Sequence, residues 1–307
     1  MDLKPLISTL RRELIGVVRK NPVDGLLLSG GIDSGILSYL LPHKKAITVS
    51  LEGRGEDLIY VSILDKAVGL DATKVTIGVE DALKAVREVI FILKSFDPAL
   101  PNDLAVYFGM REAKRQRFSS VMTGDGADEL FGGYPYMQEI EDLDTYTLSM
   151  SRSMHFSSNR IGNYFDIDVK QPYLDEDFIA LALTVTKDLK IREEKGTVWG
   201  KWILRKAFEP FLPSQFIWQQ KRPLEVGSGM NLLRAVIAEK IPDTEFEEKK
   251  RAYPVKFICK EHLFFYELYL QEVGEIPLPQ GEEIGCPGCG AGMSKGVRHC
   301  RICGWVS

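Results

Sequence analysis

The sequence predicts an α/β fold: a doubly wound, mostly parallel sheet, followed by a mainly helical region and a small cysteine-rich tail. Three observations carry that expectation. Short apolar runs at 25–28, 45–50, 74–77 and 119–123 alternate with helical patterns, which is how a parallel sheet covered on both faces reads. Two of these runs end in glycine turns that carry carboxylates, SGGIDS at 29–34 and GDGADELFGGY at 124–134. Four of the five cysteines then crowd into the last 22 residues.

Taken in order, residues 3–19 form a leading amphipathic helix, with Leu6, Ile7, Leu10, Leu14 and Val17 at helical spacing. The first strand and its glycine turn follow, and a helical pattern resumes at Ile36. The second strand, 45–50, meets an acidic break, LEGRGED, at 51–57. A helix over 58–68 is closed by Gly69 as its C-cap, and 74–77 is the third strand. Helices are expected over 80–94 and 102–118, separated by SFDPALP, whose prolines break the pattern. After the fourth strand and second glycine turn, 138–273 reads as helical without convincing alternation. The organisation expected is therefore a body over 1–273, with its α/β core at about 20–137 and a helical part at 138–273. A Pro, Gly and acid linker at 274–283 leads to a metal module at 284–307.

Composition narrows the function classes. A 45% hydrophobic content is that of an ordinary globular chain, not a disordered one, and a formal charge of -4 gives no global reason to expect nucleic acid. No run of eighteen apolar residues and no cleavable leader pattern occurs, so a soluble cytoplasmic protein with no membrane partner is expected.

Strand, tight glycine turn and helix make a phosphate site, because glycines allow close backbone approach and the helix N-terminus offers free N–H groups. Asp33 within that turn would repel phosphates unless a divalent cation lay between them, so the loop predicts a Mg²⁺-bound polyphosphate. The lysine and spacing of the GxxxxGK[ST] loop are missing, which excludes that class of kinase or GTPase. Asp128, beyond another predicted strand, is expected to join Asp33 in holding the metal, since two such loops converge at the switch point of a parallel sheet. Both could also serve as plain helix caps. Asp125 and Glu129 stand close enough to orient a second substrate.

These motifs resemble the asparagine synthetase family, a branch of the ATP pyrophosphatases whose loop reads SGGxDS. The agreement continues through QPYLDEDF at 171–178, KWILRKAF at 201–208 and LPSQFIWQQK at 212–221, in family order over 25–229. The resemblance implies an adenine nucleotide alpha hydrolase-like sheet. It also implies cleavage of ATP between its α and β phosphates, attack by a substrate carboxylate to form an acyl-adenylate, and transfer of ammonia or another amine. By the same resemblance Leu28, Ser29, Gly30, Gly31, Asp33 and Ser34 would hold the nucleotide, with Val49 at the adenine and Gly124 against the nucleotide. Lys221 and Lys201 would face the phosphates, and Asp125 and Asp168 would serve the substrate. Departures are visible. Residues 98–108 read PALPNDLAVYF where the family often has STPM, and Asp168 and Lys170 stand where Glu and Arg are usual. The family's glutamine-dependent members carry a long amidotransferase domain before the first strand, whereas about 24 residues precede it here. Free ammonia, another amine or a separate glutaminase is then the expected donor. The other adenylating reading is a tRNA modification enzyme of the same superfamily.

The tail reads CPGCGAGMSKGVRHCRICG, with CxxC at Cys286 and Cys289, ten residues between, and CxxC at Cys300 and Cys303. Paired knuckles of this kind suit tetrahedral S₄ zinc, a zinc ribbon whose folding energy would come from the metal. Lys295, Arg298, His299, Arg301 and Trp305 would permit RNA contact, or could equally dock the tail on the body or on a partner.

Overall fold

The computed structural model describes residues 3–306. Its central sheet has five parallel strands: β1 (Gly25–Leu27), β2 (Lys45–Leu51), β3 (Asp71–Ile77), β4 (Ser120–Met122) and β5 (Asp168–Lys170), in the order β3-β2-β1-β4-β5. The chain winds outward from β1 through β2 to β3, then crosses back to β4 and β5. The gap beyond the carboxyl ends of β1 and β4 is therefore the switch point at which such sheets bind ligands.

The helices cover both faces. α1 (Lys4–Lys20) packs Leu10, Leu14, Val17 and Val18 into the core. α2 (Ile32–Leu40) and α3 (Asp57–Val68) share that core cluster through Ile36, Leu37, Val61 and Leu64, while α4 (Val79–Leu93) and α5 (Leu100–Arg115) bury Val86, Val89, Ile90, Leu104 and Phe108 in a second cluster. The short α6 (Ala127–Phe131) follows β4.

Several boundaries differ from the sequence expectation, and α2 begins at Ile32, four residues before the apolar pattern resumes at Ile36. α5 begins two residues earlier because Pro101 sits in its first turn, where a missing N–H costs nothing, and it stops at Arg115, before Arg117 adopts a φ of 62°. β3 reaches back to Asp71 because it pairs with β2 over their whole length, from Lys45↔Asp71 to Leu51↔Ile77, and this carries polar residues into the ladder. The region read as helical supplies β5 and an antiparallel hairpin of Arg192–Glu194 with Thr197–Trp199. Among the described residues no helix is long and apolar enough to cross a membrane.

The cysteine tail is packed on the body. Cys286, Cys289, Cys300 and Cys303 are buried and continuous with the core around Phe96, Tyr266 and Tyr269. The backbone N–H of Lys256 donates to the Gly288 carbonyl at 2.8 Å, which ties the first knuckle down.

Candidate active site

A cavity of about 490 Å³ opens beyond the carboxyl ends of β1, β2 and β4. Leu28, Ser29, Gly31, Asp33 and Ser34 line it from the first loop, Val49 from β2, and Gly124, Asp125, Asp128 and Glu129 from the second; Lys201 and Lys221 also line it. Gly30 turns behind the loop, its carbonyl accepting from Gln219 Nε2 at 3.2 Å. The two loops touch. A Cβ at Gly124 would stand 3.0 Å from both the Asp33 Cβ and the Ser34 nitrogen, so glycine lets them close on each other.

The centre of the cavity is a charge cluster. Lys201, whose side chain is 2% exposed, sends its Nζ to Asp33 Oδ2 at 2.5 Å and to Asp128 Oδ1 at 2.6 Å. Lys221 reaches Asp128 Oδ2 at 2.8 Å. Gly133 makes room for this cluster, since a Cβ there would lie 1.9 Å from Asp128 Oδ1 and 2.3 Å from Lys201 Cε. Burial works against the Asp128 carboxylate, but Lys201 and Lys221 outweigh it and hold the group down at about 2. Asp33 meets one ammonium and the negative charge of Asp128, and burial pushes its carboxyl up. The two acids raise the pKa of Lys201 despite burial, so the ammonium stays charged. Asp33 Oδ1 is buried without a hydrogen-bond partner, a hard oxygen free to meet a divalent cation. Asp128 Oδ1 is likewise without a hydrogen-bond partner, although Lys201 Nζ stands 2.6 Å from it, and Oδ2 accepts from Lys221.

The rest of the cavity is acidic and hydroxylic. Asp125 accepts from Thr123 Oγ1 at 2.7 Å, Ser158 Oγ at 2.6 Å and Gln171 Nε2 at 2.9 Å. Burial pushes Asp103, in the first turns of α5, up to about 7, against the pull of the nearby Ser157 hydroxyl. Burial beside Asp128 pushes Glu129 up to about 7, although it accepts from Tyr134 at 2.7 Å. Asp57 reaches about 7 by burial, against the pull of Arg222, whose Nη2 stands 3.6 Å away. Arg222 also lies over the Tyr60 ring at 4.2 Å.

Asp168 is not brought to this site. It stands at the amino end of β5, with its side chain 59% exposed and paired with Lys170 at 2.7 Å, and the cavity forms at the other end of the strand. Gln171, just past the carboxyl end of β5, makes the contact to Asp125 instead. Sequence reading also passed over Asp103, a lone polar residue with no motif spacing to mark it, and over Arg205 and Arg222, which lie within KWILRKAF and directly after LPSQFIWQQK but were not singled out there. Arg205 is buried between Trp199 and Trp218 and donates to the carbonyls of Gly200, Ile217 and Gln219.

In the tail, the four Sγ atoms lie within 4.8 Å of one another, with Cys286 and Cys303 at 3.6 Å and Cys289 and Cys300 at 3.9 Å. Tetrahedral zinc with Zn–S near 2.3 Å needs sulfur atoms about 3.8 Å apart. A disulfide would need about 2.0 Å. The donor set fits a metal. His299 turns away to Asp97 at 3.0 Å, and Arg301 Nη2 meets His155 Nδ1 at 2.9 Å, so two of the basic residues considered for RNA dock on the body.

Comparison with known proteins agrees with this geometry. The family described as asparagine synthase matches residues 17–154 and 147–260. The chain is similar to asparagine synthetase B (glutamine-hydrolyzing) of Escherichia coli K12, at 25% identity over 295 residues, covering 85% of this chain and 53% of that protein. It is similar to a probable asparagine synthetase of Schizosaccharomyces pombe, at 27% over 317 residues, covering 89% of this chain and 56% of the relative. The enzyme of Asparagus officinalis matches at 25% over 297 residues, covering 85% and 50%. The chain spans about half the length of these relatives.

Proposed function

The chain belongs to the asparagine synthase family, and on that premise we propose that it is an ATP-dependent amide ligase that adenylates a carboxylate and then transfers ammonia or another amine. The observation that carries the reading is the meeting of Asp33, Asp128, Lys201 and Lys221 beyond the adjacent ends of β1 and β4.

In this reading the first loop, from Leu28 to Ser34, holds the triphosphate, Val49 packs on the adenine, and Gly124 backs the nucleotide. Asp33, through its free Oδ1, and Asp128, through the Oδ2 that Lys221 would release, would hold Mg²⁺, which would neutralise phosphate charge. A substrate carboxylate oxygen attacks the α phosphorus, the bond to the bridging oxygen breaks, and pyrophosphate leaves. Negative charge gathers on the leaving group. Lys201, fixed in place, and Lys221, which exchanges Asp128 for the β and γ phosphates, stabilise it at the transition state. The amine nitrogen then attacks the acyl carbon and AMP departs with the C–O bonding pair. Glu129 and Asp103, both held near 7, suit the proton that the amine gives up. Asp125, braced by three donors, orients the acceptor. Zinc belongs to the four tail cysteines, which it would hold as a ribbon.

Adenylation of an RNA base is the second reading, and the docking of His299 and Arg301 on the body gives it less support. Exchange of labelled pyrophosphate into ATP, with single carboxylates tested against bulk tRNA, separates the two. Carboxylate-dependent exchange that disappears in Asp33→Ala is the expected result; exchange with tRNA alone overturns the ligase reading.

A further inference from the structure

The tail grips the body at places the proposed chemistry leaves without a task. The Ile302 carbonyl accepts from the Phe96 N–H at 2.7 Å and from Ser95 Oγ at 3.2 Å, and His299 pairs with Asp97. The tail backbone presses so closely there that a Cβ at Gly304 would lie 2.5 Å from Asp97 Oδ1. Asp97 in turn starts α5, accepting from the Ala99 N–H at its carboxylate and from the Leu100 N–H at its carbonyl. The first turns of that helix carry Asn102 and Asp103 into the cavity.

The neighbouring tail residue takes hold of the facing wall. Arg301 Nη2 stands 2.9 Å from His155 Nδ1, which accepts from it in the tautomer that carries its proton on Nε2 and so gives up the Ser153 carbonyl at 2.7 Å, and the three residues after His155, Phe156, Ser157 and Ser158, all line the cavity. Ser157 is the hydroxyl beside Asp103, and Ser158 donates to Asp125 at 2.6 Å. One knuckle, between Cys300 and Cys303, therefore holds both sides of the same recess. Among the described residues, no hydrogen bond or ion pair runs from the tail to the 28–34 loop, Lys201 or Lys221.

We propose that the cysteine tail, folded on zinc, is a positioning element for the acceptor recess: it sets the spacing between the wall bearing Asp103 and the wall bearing Ser157 and Ser158, and leaves the nucleotide end alone. Only the word acceptor rests on the ligase reading; the spacing argument does not. A knuckle whose four thiolates need a metal to share their charge keeps its shape only when loaded, so loading and recess geometry are linked.

Hydrogen exchange followed by mass spectrometry on the full chain tests this, comparing zinc-loaded protein, chelated protein and the Arg301→Ala variant, which keeps all four cysteines. Amides at 159–165, where the helix Ser157–Tyr164 that follows His155 makes its backbone hydrogen bonds, should exchange about fivefold faster in the variant, the worth of one hydrogen bond. Chelation should extend the loss to 95–103, and Arg301→Lys should restore protection. Protection at 28–34 and the calorimetric affinity for a non-hydrolysable ATP analogue with Mg²⁺ should not change. Loss of protection or affinity at the nucleotide end as well would make the tail a general stabiliser and overturn the proposal; so would unchanged exchange at 159–165. Failure of the ligase reading would show separately, as absent pyrophosphate exchange with the recess still responding to zinc.

Discussion

Replacing Lys201 by methionine keeps most of the side-chain stem and removes the ammonium that stands 2.5 and 2.6 Å from two buried carboxylates. Breaking a buried ion pair by deleting one partner costs about 3–5 kcal/mol. Asp128 keeps Lys221, whereas Asp33 keeps no hydrogen-bonded cation, so the loss falls mainly on Asp33. The pH dependence follows from the direction of each shift. In the wild type Asp128, held at about 2 against an ordinary 3.8, contributes stability that is complete above pH 3.8 and is lost as the pH falls through 2. In the variant the Asp33 carboxyl rises further above its unfolded value, so the folded state takes up its proton first and the penalty fades as the pH falls toward 4. Urea unfolding followed by circular dichroism from pH 8 to pH 4 should show the variant about 4 kcal/mol less stable at pH 7 and should show that gap narrowing on acidification. A gap under about 1 kcal/mol at neutral pH, or one that stays constant across the range, would refute the view that Lys201 compensates buried charge.

Three further outcomes are expected. Gly133→Ala forces a methyl group into the contact between Asp128 and Lys201 and should lower stability by about 1–3 kcal/mol and abolish pyrophosphate exchange, measured by thermal melting and the exchange assay. Glu129 is raised from 4.5 to about 7, so its charge penalises the fold increasingly as pH rises through that interval; Glu129→Gln should be more stable than wild type at pH 8 by up to about 3 kcal/mol and equal to it at pH 4, and a pH-independent difference would count against the assignment. Metal analysis should find one zinc per chain, falling below stoichiometry in Cys289→Ser, and no metal in carefully prepared native protein would remove the ribbon.

Much of the sheet was legible because its strands end in glycine turns. SGGIDS and GDGADELFGGY announce backbone approach and charge at once, and Asp33 and Asp128 do meet across β1 and β4. β5 was not legible. Its three residues, Asp-Val-Lys, hold one apolar side chain, and an edge strand that short acquires its identity from pairing with β4 and not from its own pattern. The same shortness explains Asp168: the motif match placed it beside the substrate, but with the strand itself unseen nothing showed that Asp168 starts it, at the end away from the cavity. The tail's spacing announced a metal site but not its docking, which depends on Asp97 and His155, residues with no motif around them.

Arg205 has a consequence for how the two lysines can vary. Its guanidinium bridges the chain just before Lys201, at Gly200, to the chain just before Lys221, at Ile217 and Gln219. The span from 209 to 218 is thereby cut to a template: an inserted or deleted residue there would slide one ammonium out of step with the other while leaving both in the protein. Relatives that differ in length should accommodate the difference elsewhere, in stretches such as 275–283, where no such strut measures the distance.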